Sequence, residues 1–586
     1  MFVQDLRNDF YRQLVGKRIL IVVNYDIDAI CASRILQVLF KYDHMLYTVV
    51  PIMGVTGLKR AYGEHQGDVK YVVLVNCGGC VDIVELLQPA EDVTFFICDS
   101  HRPLDVCNIY SDRQVCILGD PALEENIPGF ETIFYDSDGE EDEDEDEEGD
   151  GNEGSSDREE RNNDSGAGES DSEEQGERRP PRHKLSRLER HEQRILKQRA
   201  RRQWESERDR IMFEYTQFSY YGRSTALMIF ELAWKLSKDN MDLLWWAIVG
   251  ITEQLLLGKI ESSAYTLELE QIQSHVSRLT NKTNDQNTMS ASKISFENDL
   301  HLVLYRHWPV TESMRYSRYA SCQLKLWTLR GEKRLHELLL EMGLPLVHAR
   351  QTYGAMDLVL RKEFYSMVER LAEKYDIPDI VYGTFTLSYG YRSRYAAADY
   401  VYALLAIMES VKKHKTPEDC FLEASDALSR QHKQLLAAGI EQAKLLHAAV
   451  FRQVQSSLEA RLVHSAGSFF YYVLQEEHAF FSYPYALGLL ARFLLRGHVA
   501  TSRARQAPDL PLIATCPLDA AQGMCLLVGI APVREDSPRN FFGKAFEQAA
   551  QKSGVMLLQD FFEPAVVQLR QSDLTRFLDA LTVLLT

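Results

Sequence analysis

The sequence predicts an α/β protein with a doubly wound parallel sheet, a helical insertion and a smaller α/β domain at the carboxyl end. Two observations predict the sheet. Short apolar runs rich in Val, Ile and aromatic residues alternate with segments of helical periodicity, a pattern typical of buried parallel strands joined by helices. Several of these runs end abruptly in acidic or amide residues, where the ligand sites of such sheets lie.

The strand–helix alternation occupies residues 17–118. Apolar residues at helical spacing mark Ala29–Phe40, and a shorter stretch of the same kind is Val81–Leu87. Right-handed crossovers between parallel strands bring their carboxyl ends to one edge of the sheet. The predicted strands are Ile19–Val23, Tyr47–Ile52, Tyr71–Val75 and Thr94–Cys98.

Composition indicates an intracellular protein with more than one core. Of 586 residues, 45% are hydrophobic and 10% aromatic, which is enough apolar surface for several domains. No apolar run reaches the roughly 20 residues of a membrane span, and Met1 to Arg7 lack the pattern of a secretory signal. The ten cysteines are scattered, and Cys98 and Cys116 lie within apolar runs, which favours free thiols in a reducing compartment.

The net charge of -20 is local. Residues 136–177 contain 22 acidic and 2 basic side chains, which leaves 63 of each elsewhere. Such a segment is expected to be a disordered, solvated spacer. Three serines in acidic contexts offer an alternative role, because phosphorylation there would tune docking to basic partners. These candidate phosphosites are Ser137, Ser156 and Ser170.

A basic segment follows the acidic one. Residues 178–210 hold 13 Lys or Arg against 5 acidic residues, and no helix breaker follows Pro181. We therefore expect a long exposed helix that carries a nuclear import signal. Nucleic-acid contact is the alternative, although the segment lacks the interleaved aromatics of a stacking platform. The candidate import residues are Lys197, Arg199, Arg201 and Arg202.

The remaining chain divides by periodicity. A largely helical region is predicted to include His301–Trp308 and Arg334–Met342 as amphipathic segments. Strand-like runs return at Phe469–Leu474 and Met524–Ile530, beside helical patterns. The predicted organisation is a first domain in two parts, 1–135 and 211–258, the acidic insert 136–177, the basic helix 178–210, the helical region 259–460 and a second α/β domain 461–586.

Polar side chains follow three of the predicted strands. Asp26 and Asp28 come after the first strand, Asn76 after the third, and Asp99 and His101 after the fourth. Carboxylates and imidazole at one sheet edge suit a divalent cation. A carboxylate at the start of a helix also caps its free N–H groups, so capping is the alternative explanation for the first pair.

These positions resemble the motifs of the DHH phosphoesterases, in particular the RecJ-type single-strand exonucleases. Asn24-Tyr-Asp-Ile-Asp28 resembles their first motif, and Asn76-Cys-Gly78 their second. Asp99-Ser-His101 stands where the name-giving Asp-His-His belongs, and Ile248-Val-Gly-Ile-Thr-Glu253 resembles the fourth motif. The resemblance implies a DHH domain and a carboxyl-terminal DHH-associated domain.

The departures from these motifs remove metal ligands. A carboxylate is replaced by Asn76, an imidazole by Ser100, and the last Asp by Glu253. Two bridged Mn²⁺ or Mg²⁺ ions activate water in this family, and a neutral amide cannot replace a bridging carboxylate. The resemblance therefore implies an inactivated scaffold with no catalytic residue, metal or cofactor. The vestigial metal-site positions are Asp26, Asp28, Asn76, Asp99, Ser100, His101 and Glu253.

Longer segments resemble the eukaryotic RecJ relatives of the replicative helicase assembly. Among them are Cys98-Asp-Ser-His-Arg-Pro103, Leu244-Trp-Trp-Ala-Ile-Val-Gly250 and Asn540-Phe-Phe-Gly-Lys-Ala-Phe-Glu547. The resemblance implies a structural subunit that bridges the MCM hexamer and the GINS tetramer in the CMG helicase. It also implies other replication-fork factors as partners, weak contact with single-stranded DNA, no membrane, and a nuclear location on chromatin at origins and forks.

Other functions stay open at this point. The rival is an active Mn-dependent RecJ-like exonuclease or phosphodiesterase, and a third is a module that only binds single strands. Cys77-Gly-Gly-Cys80 suggests zinc, but there is no second pair at zinc spacing, and a tight turn after a strand also explains it. The sequence contains no phosphate-binding Gly-rich loop ending in Lys-Ser/Thr, so ATP hydrolysis is not expected.

Overall fold

The computed structural model describes most of the chain outside the acidic segment. It divides into two units, residues 1–127 with 215–586, and residues 128–214. The predicted phosphosites Ser137, Ser156 and Ser170 lie outside the described residues. The described ranges are 1–124, 126–134, 187–285, 292–377, 380–389, 393–410, 415–475, 480–519, 523–534 and 538–586.

The predicted parallel sheet is confirmed and has six strands. The first seven strands are β1 (Phe2–Val3), β2 (Arg18–Asn24), β3 (Leu46–Ile52), β4 (Tyr71–Val75), β5 (Thr94–Cys98), β6 (His101–Arg102) and β7 (Val115–Leu118). All except β6 join one sheet in the order β1-β7-β5-β4-β2-β3, and every pair is parallel. The four runs of Val, Ile and aromatic residues therefore form the centre and one edge of this sheet.

Helices cover both faces of the sheet, so the fold is doubly wound as predicted. Along β2, Ile21 and Val23 face one buried core, and Leu20 and Val22 face another. This alternation follows from the two-residue period of a strand. The helices up to the acidic segment are α1 (Arg12–Leu14), which continues a π-helical turn, α2 (Ile27–Tyr42), α3 (Val55–His65), α4 (Ile83–Leu87), α5 (Val106–Tyr110) and α6 (Phe130–Ile133).

The described part of the basic segment lies in α7 (Arg187–Thr216), a helix of 30 residues. Most of it belongs to the second unit. Ion pairs one turn apart, such as Arg201–Glu205 at 3.0 Å, lie on its exposed surface. Of the candidate import residues, Arg199, Arg201 and Arg202 are exposed, whereas the side chain of Lys197 lies outside the described part.

Two helices after α7 complete the first core. The short strand β8 (Tyr220–Tyr221) pairs with β6 and is followed by α8 (Thr225–Lys235) and α9 (Met241–Leu256). Both helices pack with α2 on one face of the sheet. The sequence on either side of the acidic segment therefore builds a single core.

The middle region contains a sheet that periodicity did not predict. Its strands are β9 (Ser292–Leu300), β10 (Val381–Tyr389) and β11 (Ser393–Ala396), and both pairs are antiparallel. The expected amphipathic segment His301–Trp308 is a series of turns and not a helix. Arg306 donates to both oxygens of Asp299, at 2.7 and 3.0 Å, and this pair holds the turns against β9.

The other elements of the middle region are helices. None of the helices in the described ranges has both the length and the apolarity of a bilayer span. The helices of the middle region are α10 (Ser262–Asp285), α11 (Val310–Tyr316), α12 (Arg318–Leu324), α13 (Leu329–Glu341), α14 (Leu346–Ala349), α15 (Leu358–Ala372), α16 (Ala397–Met408), α17 (Pro417–Ala427) and α18 (Lys433–Glu459).

The carboxyl-terminal region is a second α/β arrangement, as the sequence predicts. A mixed five-stranded sheet in the order β12-β13-β14-β15-β16 packs between α19 on one face and α20 and α21 on the other. These elements are β12 (Val463–Ser465), β13 (Phe470–Val473), α19 (Pro484–Thr501), β14 (Leu512–Asp519), β15 (Met524–Ile530), α20 (Phe542–Ser553), β16 (Val566–Arg570) and α21 (Leu574–Leu585).

Gly250 allows α9 to approach α2 and α8. A Cβ atom at this position would lie 2.5 Å from Asp28 Oδ1 and 2.7 Å from Ala226 Cβ. We predict that Gly250→Ala lowers the free energy of unfolding by about 1–3 kcal/mol, because overpacking a dense core is destabilising. Urea titration followed by circular dichroism measures the change.

The matched control is Gly63→Ala in α3. A Cβ atom there meets nothing within 4 Å, so this variant is expected to be neutral or more stable by roughly 0.5–1 kcal/mol. Equal effects of the two substitutions would contradict the packing argument.

Candidate functional site

Strand register brings three chain segments together at the carboxyl edge of the first sheet. Val23 of β2 lies opposite Val75 of β4, and Val75 lies opposite Cys98 of β5. The residues that follow these strands therefore meet at one edge. The seven predicted site positions all lie at this edge. Six of them follow the strands, and α9 brings the seventh, Glu253.

Asp26 caps α2. Its Oδ1 accepts the backbone N–H of Ala29 at 2.7 Å, and its Oδ2 accepts an N–H of Asn24 at 2.9 Å. The side chain is 2% exposed. Burial raises the pKa of Asp26, with Lys259 acting in the opposite direction. The capping explanation thus accounts for one oxygen of Asp26, and the side-chain amide of Asn24 binds the other.

Asp28 binds the start of α8. It is 1% exposed, and it accepts hydrogen bonds from Ser224 Oγ at 2.5 Å, Thr225 N at 2.8 Å and Ala226 N at 3.1 Å. Free N–H groups at a helix start favour such an anion. This contact was not predicted, because it joins residues nearly 200 positions apart in the chain.

Asn76 links the other segments. Its amide nitrogen donates to Asp26 Oδ1 at 3.1 Å and to Asp28 Oδ2 at 3.3 Å. Its amide oxygen accepts from Ser100 N at 3.1 Å and from the Thr225 hydroxyl. A carboxylate in this place only accepts hydrogen bonds and would lie beside two other carboxylates. The residue has φ +51°, a left-handed conformation that Asn adopts more readily than most residues.

Asp99 and His101 form a buried pair. His101 Nδ1 lies 2.6 Å from Asp99 Oδ1, and Asp99 also accepts the backbone N–H of Gly79 at 2.8 Å. Although burial acts in the opposite direction, the imidazole and the N–H donors hold the pKa of Asp99 below its ordinary value. Burial acts to lower the pKa of His101, but the neighbouring Asp99 raises it above its ordinary value. Each partner therefore stabilises the charged form of the other.

Glu253 pairs with a lysine that sequence reasoning did not identify. Lys259 Nζ lies 2.7 Å from Glu253 Oε1, and the two residues are 8% and 1% exposed. Glu253 Oε2 has no hydrogen-bond partner in the described ranges. Burial, opposed by Lys259, raises the pKa of Glu253 to about 7. In the sequence, the signal for this turn is Gly258 directly before the lysine, because glycine commonly ends a helix.

These residues do not fit the metal pair that the DHH resemblance implies. Oxygens of Asp26, Asp28 and Asp99 already accept backbone N–H groups, which leaves fewer lone pairs to bridge two metals. Across the described residues, one set of His, Cys, Asp or Glu brings its ligand atoms within 4.8 Å of one another. That set is Asp82, Asp105 and Cys107, whose carboxylates cap α4 and α5.

The Cys77-Gly-Gly-Cys80 segment forms the turn after β4. Cys77 is buried, and its thiol points to the carbonyl of Val22 at 3.7 Å. The structure joins none of the ten cysteines in a disulfide. The tight-turn interpretation therefore describes this segment, with Gly78 at φ +86°.

Two pockets adjoin the sheet edge. One, of about 70 Å³, is lined by Tyr25, Tyr485 and the buried residue Glu409. The other, of about 390 Å³, has an excess of cationic side chains over Glu261 and Glu563. Its cationic residues, which the sequence did not single out, are Arg102, Lys259, Arg318, Arg492, Arg496 and Arg539.

Comparison with known proteins gives a consistent result. The CDC45 family model matches residues 19–584. Cell division control protein 45 homolog of Homo sapiens is 40% identical over 594 residues, which cover 100% of both chains. Cell division control protein 45 of Saccharomyces cerevisiae is 28% identical over 623 residues, covering 95% of this chain and 94% of that protein. The crystal structure of CDC45 from Entamoeba histolytica superimposes with a TM-score of 0.69 at 21% identity over 100% of both chains.

Glu409 makes stability depend on pH. It is 4% exposed, its Oε2 has no partner in the described ranges, and burial raises its pKa from 4.5 to about 8. Because the folded state disfavours the ionised carboxyl group, stability falls as the pH rises from 4.5 to 8. We predict that Glu409→Gln is more stable than the wild type by roughly 2–4 kcal/mol at pH 8.5 and equal to it near pH 4.

Thermal unfolding at both pH values measures this difference. The control is Glu337→Gln on the exposed surface of α13, which should leave the pH profile unchanged. A Glu409→Gln profile parallel to that of the wild type would contradict the assignment.

Proposed function

The chain belongs to the CDC45 family, and on that premise we propose that it acts in DNA replication as a non-catalytic structural subunit of the replicative helicase. One observation carries the non-catalytic part: the edge where DHH enzymes hold metals is bonded internally. Asn76 ties Asp26 and Asp28 together, and Lys259 pairs with Glu253. The scaffold is retained and the metal chemistry is lost.

In this role the protein bridges the MCM hexamer and the GINS tetramer in the nucleus, on chromatin at origins and forks. The longer segments that resemble helicase-associated RecJ relatives support these partners. We assign the docking surface for these partners to exposed apolar side chains in α13–α15. They are Leu329, Leu340, Val347, Leu358 and Val359. The exposed arginines of α7 support nuclear import.

Weak contact with single-stranded DNA is a further part of the proposal. The larger pocket presents cationic side chains from α12, α19 and the loop before α20. Phosphates bind such a surface through charge, with affinity that falls as salt rises. The balance of acidic and basic residues outside 136–177 keeps this affinity low.

The non-catalytic role predicts that removing the negative charges of Asp26 and Asp99 leaves helicase function unchanged. We expect Asp26→Asn combined with Asp99→Asn to assemble with MCM and GINS and to support ATP-dependent unwinding as the wild type does. Both proteins should cleave labelled single strands in Mn²⁺ only at the background of a no-protein reaction. Co-purification, unwinding and nuclease assays measure these properties.

Metal-dependent cleavage by the wild type that the double variant lacks would favour the exonuclease instead. Failure of the wild type to join MCM and GINS would contradict the bridging role. A circular dichroism melt of the double variant separates either result from unfolding.

The cationic pocket predicts where single strands bind. We expect Arg496→Ala combined with Arg539→Ala to weaken binding of a labelled oligonucleotide about fivefold and to reduce the salt slope by about 1–2, because each lost phosphate contact removes about one unit. Fluorescence anisotropy over a salt series measures both quantities. The matched control is Arg330→Ala, at an exposed position of α13. An equal loss of oligonucleotide affinity in this control would contradict the assignment of single-strand binding to the pocket.

A further inference from the structure

A buried ammonium group faces the acidic edge of the first sheet. Lys259 Nζ contacts Glu253 Oε1 at 2.7 Å. Its strongest attractions are to Glu253 and Asp26, and for each of those two carboxyl groups Lys259 is the largest influence that favours the ionised form. One cation therefore serves two carboxylates that arrive from different helices.

The chain reversal after α9 sets the position of this lysine. Gly258 has φ +66°, and its N–H donates to Leu255 O at 3.1 Å. The N–H of Lys259 donates to Gln254 O at 2.7 Å. These two bonds with a left-handed glycine define a Schellman motif. The motif turns the chain back, so that Lys259 lies beside Glu253, which is six residues earlier in the chain.

Aromatic rings surround the ammonium group. Lys259 Nζ lies 4.8 Å from the ring centroid of Tyr221 and 5.7 Å from that of Tyr485. The quadrupoles of such rings attract a desolvated cation. Tyr221 is itself held by its hydroxyl, which donates to Glu563 at 2.7 Å. The site is thus built to hold a cation that the chain itself supplies.

The remaining carboxylates at the edge are also compensated internally. Asp99 pairs with His101 at 2.6 Å. Asp28 accepts four hydrogen bonds, from Ser224, Thr225, Ala226 and Asn76. A buried charge needs a counter-charge or a full set of donors, and each carboxylate here has one or the other.

We infer that the ammonium of Lys259 takes the place of the divalent cation at this sheet edge and excludes metal from it. The inference rests on the proposed non-catalytic function and deepens it: besides losing ligands, the site has gained a cation of its own. A simple structural ion pair would stabilise the fold in the same way, but its removal would create no metal site.

Manganese binding distinguishes these possibilities. Full-length wild type, Lys259→Met, Lys259→Gln and Lys259→Arg are titrated with Mn²⁺, and free Mn²⁺ is measured by electron paramagnetic resonance. Each protein is paired with the same protein carrying Asp26→Asn. Only binding that Asp26→Asn removes is assigned to the sheet edge, since residues 136–177 and the Asp82 cluster also attract cations.

We expect no such binding to the wild type or to Lys259→Arg, which keeps the charge. Lys259→Met and Lys259→Gln should each gain one Mn²⁺ per chain that Asp26→Asn removes, and Mn²⁺ should raise their melting temperatures. If Lys259→Met does not fold, Lys259→Gln carries the same expectation.

Two results would overturn the inference. One is binding to the wild type that Asp26→Asn removes, and the other is no gain in folded Lys259→Gln. If the wild type binds Mn²⁺ but cleaves no single strand, the structural role stands and only the role of Lys259 falls. If it binds Mn²⁺ and cleaves, the non-catalytic function falls with it.

Discussion

The hydrogen bonds of Asn76 are the constraint on which the sheet edge depends. One amide donates to Asp26 and Asp28 and accepts from Ser100 and Thr225. It thereby connects the ends of β2, β4 and β5 with the start of α8. An ionised carboxylate has no N–H to donate to Asp26 and Asp28, and it would repel both of them. The neutral amide therefore connects these segments by its own hydrogen bonds.

The same edge joins the two α/β regions of the first unit. Thr56 N donates to Asp560 Oδ1 at 2.7 Å, and Tyr221 donates to Glu563. Ser219 and Asn540 exchange backbone hydrogen bonds of 2.8 Å. These contacts bind the carboxyl-terminal region to the sheet across the pockets. The two α/β regions are therefore held together at this edge by direct hydrogen bonds.

A few side chains set the charge balance at this edge. Asn76 is a neutral amide among the carboxyl groups, and Lys259 adds one positive charge beside Glu253. The ammonium of Lys259 and the imidazole of His101 offset part of the charge of the four carboxyl groups at this edge. The others are held by hydrogen-bond donors, as a buried carboxylate requires.

The sequence by itself determined the sheet, its helices and the convergence of polar strand ends, because two-residue and helical periodicities are local and parallel connectivity leaves little freedom. It also determined the family resemblance, since Asp26, Asp28, Asn76, Asp99 and Glu253 stand at motif spacing. The antiparallel sheet of β9 and β10 escaped prediction, because its strands pair across about 80 residues and β9 carries charged side chains that mask its alternation. Only the tertiary structure decided that Asp28 caps α8, that Lys259 pairs with Glu253, that Glu409 is buried, and that arginines from separate helices share one pocket. Each of these is a contact between segments distant in the chain or reversed by a turn, and burial and charge compensation become definite only when those segments pack together.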